Sequence, residues 1–201
     1  MARALHSSPL VAQRHSRGFT LIELMIVVVI VGILATLAVV GYRKLVQSSH
    51  VSEATGMVQN IRVAQEAYHS ETQIYADIST AFPDGVTATA GLYPRTPQYG
   101  VVTAWGAACT ACLAGMDWSM LPLHVDGPVL FGYATVAGAA NLVPTPATVS
   151  VNGGTVTFPN PSTADWYIIG AEGELDNNPS GRTVVYGTSW TNQLLVSNEG
   201  Q

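Results

Sequence analysis

Residues 17–42 read R-G-F-T-L-I-E-L-M-I-V-V-V-I-V-G-I-L-A-T-L-A-V-V-G-Y. From Leu24 to Tyr42 the chain carries no formal charge. At about 1.5 Å of rise per residue, a helix over that run is roughly 28 Å long, enough to cross a hydrocarbon core. One carboxylate, Glu23, stands inside the N-terminal edge of the run. A charged group there is costly in lipid, so it marks a functional residue with a partner.

Outward from this stretch the charge is lopsided. The chain has 201 residues, 48% of them hydrophobic and only 10% charged. Three of its eight basic residues (Arg3, Arg14, Arg17) precede Phe19, and all thirteen acidic residues follow it. A chain beginning at Phe19 would hold five basic against thirteen acidic groups, a net charge of −8. Such a surface does not attract nucleic acid non-specifically, and no nucleic-acid partner is expected. Residues 1–18 are polar and basic with no apolar core of their own. An ordinary secretory signal has its apolar segment before the cut, whereas here the plausible cut lies before the apolar segment. The basic leader favours a cytoplasmic N-terminus by the positive-inside rule, against a weak opposing pull from Arg43 and Lys44.

The junction G-F-T-L-I-E carries a resemblance. Gly18, Phe19 and then Glu23 at the head of a long apolar helix, behind a short basic leader, resemble the type IV pilin and type II secretion pseudopilin family. The resemblance implies a prepilin peptidase that cuts between Gly18 and Phe19 and methylates the new Phe19 amine. It also implies an assembly salt bridge from Glu23 to the Phe19 amine of a neighbouring subunit. A buried carboxylate without a partner costs several kcal/mol, and a cationic amine cancels much of that. Many members have Pro where this chain has Val40, followed here by Gly41; the glycine weakens the helix by about 1 kcal/mol relative to Ala.

Apolar residues recur at Val46, Ala54, Val58 (or Met57), Ile61, Ala64 and Tyr68, close to a 3.6-residue period. Glu53, Gln59, Arg62, Glu66 and His69 fill the other faces, with Glu66 and His69 a local pair. The pattern predicts one helix from about Leu21 to about Tyr75. The stretch S-E-A-T-G-M-V-Q-N-I-R (52–62) is also similar to pilins. Pro83-Asp84-Gly85, Gly91, Pro94 and Pro97 mark a loop over 78–98.

Strands are expected at 99–105, 128–136, 164–171 and 183–188, from β-branched and aromatic runs between Gly and Pro. Asn152-Gly153 predicts a two-residue hairpin within 148–158, setting Val151 opposite Gly154 and Val149 opposite Val156. The last forty residues resemble the family loosely, through D-W-Y-I-I-G-A-E-G-E-L-D-N-N and the N-E-G ending at 198–200; the middle hardly does.

Cys109 and Cys112 form a C-x-x-C. No βαβ pattern surrounds it, Leu113 stands where haem attachment needs His, and zinc would need two further ligands. A local structural disulfide is the expectation. Many members of the family instead clasp a large C-terminal loop. Glu172, Glu174 and Asp176 before Asn177-Asn178 are a weak calcium candidate, lacking the Asp-x-Asp-x-Asp-Gly loop. The four tryptophans are read as core. No Ser nucleophile elbow, phosphate loop or H-E-x-x-H is present, so neither a catalytic site nor a cofactor is expected.

These readings predict an α+β fold: a long N-terminal helix, transmembrane then amphipathic, packed on an antiparallel β-sheet. The expected segments are a cleaved leader (1–18), a membrane and polymerisation helix (19–42), an amphipathic half (43–77), a connecting loop (78–98) and a β domain (99–201). The resemblance implies a structural subunit of a type IV pilus serving adhesion or motility, and not an enzyme. Its expected partners are copies of itself and other pilins, the prepilin peptidase and the inner-membrane assembly machinery. It would sit in the inner membrane as a single-pass, N-in protein before assembly and in an extracellular filament afterwards. A type II secretion pseudopilin is the alternative within the family. A membrane-tethered periplasmic redox or binding module is the alternative of another class.

Overall fold

A computed structural model describes residues 18–85, 89–106, 108–176 and 181–198. The leader 1–17, Asn177-Asn178 and the Glu199-Gly200 part of the ending lie outside the described residues. The chain divides into two units, Met1–Tyr42 and Arg43–Gln201.

In the first unit the described residues are almost wholly the start of helix α1 (Leu21–Thr72). Every residue from 18 to 42 is exposed. Gly32 and Gly41 do not interrupt the helix. This half is long and apolar enough to cross a membrane, and its described residues are exposed throughout.

The second unit begins with the remainder of α1. Val51, Ala54, Val58, Ile61 and Gln65 are buried at spacings of three and four, the stripe of an amphipathic helix. Arg62, assigned by its charge to the solvent side, is buried instead. Its guanidinium donates to the carbonyls of Thr191 (3.0 Å) and Asn192 (3.1 Å), the Asn192 side-chain oxygen (3.0 Å) and Gln59 Oε1 (3.2 Å), so burial leaves few donors unmet. The helix stops three residues short of Tyr75. Gln73 turns into the left-handed region (φ 63°), and its N–H bonds the His69 carbonyl at 2.8 Å, a terminal αL cap.

The main sheet is antiparallel in the order β1-β4-β5-β6: β1 Gly132–Gly138, β4 Trp166–Gly173, β5 Thr183–Thr188 and β6 Leu195–Ser197. Both central strands are buried along their whole length. Alternation explains this. Tyr167, Ile169 and Ala171 of β4 pack with Val51, Val58 and Ile61 of α1. Trp166 and Ile168 point to the other face, with Val149, Phe158 and Tyr186. A run apolar on both faces marks a strand covered on both sides. Gly187 of β5 allows close approach of the helix, since a Cβ there would lie 2.7 Å from Val58 Cγ1.

The second sheet is the hairpin β2 (Thr148–Val151) and β3 (Gly154–Thr157), in the expected register. Asn152 (φ 50°) and Gly153 (φ 76°) supply the two positive φ angles of a type I′ turn. Asn152 also accepts from the Asn198 N–H at 3.1 Å and donates its own N–H to Ser197 Oγ at 2.8 Å, tying the turn to β6.

Two strand expectations are corrected. Residues 99–105 form no strand; only Thr103 pairs, exchanging two 2.8 Å bonds with Val129. Gly100 lies at φ 67° in a turn, and Trp105 leaves the line to pack against Tyr93, Trp118 and Tyr133. Residues 128–131 precede β1 rather than belonging to it; within them Val129 pairs with Thr103 in an isolated bridge. β6 has three residues, too few for a periodic signal.

Candidate functional site

Thr20 is the hinge of the N-terminal arrangement. Its hydroxyl oxygen accepts the Glu23 N–H at 3.3 Å, while its own N–H and O–H donate to Glu23 Oε2 at 2.9 and 2.7 Å. This is a capping box, in which the first and fourth residues of T-L-I-E satisfy each other's groups at a helix start. The Leu24 N–H to Thr20 carbonyl bond (3.3 Å) opens the helix. The signal stood in the sequence as T-x-x-E, beside the reading of Glu23 as an assembly residue. The two roles are compatible, because the box engages Oε2 and no bond to Oε1 is formed among the described residues.

Gly18 and Phe19 precede the helix without regular secondary structure: Phe19 is 89% exposed and, among the described residues, nothing approaches a Cβ placed on Gly18 within 4 Å. From Leu21 to Leu45, large apolar side chains are more than half exposed. That surface needs lipid or other apolar helices to cover it.

Cys109 and Cys112 are joined in a disulfide, with Cα atoms 5.6 Å apart. The Ala111 carbonyl between them accepts from the Thr80 N–H (3.0 Å) and hydroxyl (2.9 Å), and the Leu113 N–H donates to the Ile78 carbonyl at 2.7 Å. The loop therefore docks on the segment that follows α1. No helix begins at either cysteine, so a helix-terminal thiolate site is absent there.

The acidic turn does not face water as a set. Glu172 is fully buried and accepts from the Thr89 N–H (3.1 Å) and hydroxyl (2.8 Å). Arg182, also buried, bonds Glu174 at 2.8 Å and lies 3.6 Å from Glu172. Burial pushes the Glu172 carboxyl up, against the opposing pull of Thr89 and Arg182. Two of the three calcium candidates thus already share a cation. Among the described residues no three His, Cys, Asp or Glu side chains gather as a metal site.

Glu66 does not pair with His69. It accepts from the Tyr167 hydroxyl (3.0 Å) and the Tyr75 hydroxyl (3.2 Å), while His69 stacks on Tyr75 and faces Asp165 at 3.7 Å. Burial and the Glu66 carboxylate push the Tyr75 hydroxyl up to about 12. Trp118 and Trp166 are buried, with Trp105 and Trp190 packed at the core's margin.

Residues 13–39 match the model of the prokaryotic N-terminal methylation motif. A fimbrial protein of Neisseria meningitidis is 37% identical over 118 residues, covering 56% of this chain and 69% of that one. A fimbrial protein of Moraxella nonliquefaciens is 36% identical over 79 residues, 39% of this chain and 51% of its own. The type IV major pilin protein PilA of Myxococcus xanthus is 45% identical over 64 residues, 32% of this chain and 29% of its own. The chain thus spans about half or less of these last two relatives. No solved structure matches. With a capped apolar helix of this kind, an antiparallel sheet packed on its amphipathic half, the methylation motif and relatives of this extent, the chain belongs to the type IV pilin family.

Proposed function

We propose that the chain is a structural subunit of a type IV pilus and polymerises through the apolar half of α1. The observation that carries this is the uncovered apolar surface of residues 21–45, headed by a carboxylate. Lipid covers it before assembly, and the same helices of other subunits cover it in the filament. The subunit starts as a single-pass protein of the inner membrane with its N-terminus in the cytoplasm and ends in a surface filament. The inner-membrane assembly machinery and other pilins are its further partners, and its role is not enzymatic.

A prepilin peptidase cuts between Gly18 and Phe19 and methylates the Phe19 amine. That amine then meets Glu23 of a neighbour, which supports Glu23 at a depth where an unpaired charge is costly. The exposure of Phe19 and the unused Oε1 of Glu23 support both steps. Mass spectrometry of the mature chain tests the reading: the first residue should be methylated Phe19. An intact leader on filament protein would refute it. The tethered redox alternative gains nothing from Cys109 and Cys112, which close a turn away from any helix start.

A further inference from the structure

We propose that a pocket formed by Glu53, Asp126 and Tyr133 receives a cationic side chain, Lys44 or Arg43, from a second copy of the chain. The inference rests on the assembly reading above and names a contact it does not contain.

The pocket has a volume of about 350 Å³ and lies between the amphipathic half of α1 and residues 124–129. Glu53 is fixed at its wall, because Oε1 accepts the Leu130 N–H at 3.2 Å. Asp126 stands on the opposite side, 91% exposed, beside His124 at 2.8 Å. Tyr133 also lines the pocket, fully buried, and its hydroxyl has no hydrogen-bond partner. A buried hydroxyl left unmet is destabilising. Glu53 lies close enough to raise the Tyr133 hydroxyl's proton affinity further, yet does not bond it. A donor entering the pocket would be held by the Glu53 carboxylate, with the buried Tyr133 phenolic oxygen behind it as a further acceptor. Two carboxylates at the mouth select a positive donor.

The charge of the chain narrows the source. Among the described residues, Arg62 and Arg182 are buried and engaged, and Arg95 bonds Gln98. Arg43 and Lys44 are exposed and make no ion pair or side-chain hydrogen bond among the described residues. Copies this acidic repel one another unless those cations reach carboxylates. Lys44 and Glu53 are nine residues apart on α1, so a parallel copy displaced by roughly 14 Å brings them level.

The test uses the full-length chain as sole subunit in filament-forming cells. Glu53→Gln, and Arg43→Gln with Lys44→Gln, should each lower filament yield several-fold and make surviving filaments more salt-sensitive. Tyr133→Phe, which keeps the ring, should do the same more weakly. The swap Asp126→Lys with Lys44→Asp should restore the yield that either change alone lowers; Asp126 is 91% exposed and, unlike Glu53, holds no backbone N–H among the described residues. Cysteines placed at positions 44 and 126 in separate copies should cross-link. Wild-type filaments with unaffected Glu53→Gln yield, or a swap that fails while both single variants fold in the membrane, would overturn this contact alone. Failure of the wild-type chain to form filaments would overturn the assembly reading and the contact together.

Discussion

The side-chain amide of Gln65 pairs with the backbone of Ala76 as one strand pairs with another. Gln65 Nε2 donates to the Ala76 carbonyl at 2.8 Å, and the Ala76 N–H donates to Gln65 Oε1 at 2.9 Å. The same Nε2 reaches Thr135 Oγ1 of β1 at 2.8 Å. One fully buried residue of α1 thereby holds the turn after the helix against the sheet edge. Thr135 in turn accepts from the Ile78 and Ser79 N–H groups, so the edge strand is closed by the same segment.

Gln65→Leu should therefore be costly although Leu suits a helix and a core. It leaves the Ala76 N–H and carbonyl and the Thr135 hydroxyl without partners, each worth about 1–3 kcal/mol when buried. We expect a loss of about 2–4 kcal/mol, read from thermal melting of the full chain in detergent. A melting temperature within a degree of wild type would remove Gln65 from this role.

Glu23→Ala and Glu23→Gln should separate the two functions of that residue. Alanine breaks the capping box, at about 1 kcal/mol, and also removes the charge. Glutamine can still close the box and lacks only the charge. Both should insert into the membrane, since the anchor becomes more apolar. Both should lose filaments if the Phe19 amine needs a carboxylate. Full filament yield from the Gln variant would assign Glu23 to capping alone.

Arg182→Leu should destabilise the second unit by about 3–5 kcal/mol at neutral pH, because Glu172 and Glu174 lose the cation they share. The loss should shrink in acid. Glu172 already takes its proton at a higher pH in the folded chain than a free carboxyl does, and losing Arg182 raises that value further. Its contribution is then complete below the ordinary carboxylate pKa and diminishes as pH rises through the raised one. Melting curves of wild type and variant between acid and neutral pH check this; a penalty that grows in acid would contradict it.

Replacing Cys109 and Cys112 together by Ser should lower the melting temperature only modestly. So short a loop removes less chain entropy than the roughly 3 kcal/mol associated with fifteen residues. Insertion and filament formation should persist, and thiol labelling of the native chain should find no free cysteine. Loss of filaments would show that the docking of this loop on Thr80 matters to assembly.

What the sequence determined by itself was whatever rests on neighbours along the chain. The apolar run 24–42, the helical stripe through Val58 and Ile61, and the Asn152-Gly153 turn with its register are local patterns of period and conformation. T-L-I-E belongs with them, since its capping box spans four residues. The tertiary structure decided which polar groups went inside and which extended runs paired. Gln65 occupies a stripe position, four after Ile61, but only Ala76 and Thr135 make its burial tolerable. Arg62 and Arg182 are buried because carbonyls and carboxylates more than 80 residues away, or across a turn, await them. Residues 99–105 have strand composition, yet a strand needs a free edge to pair with. Ile78, Ser79 and Tyr93 already take the bonds of the outer edge of β1, so β propensity alone could not place that run in the sheet.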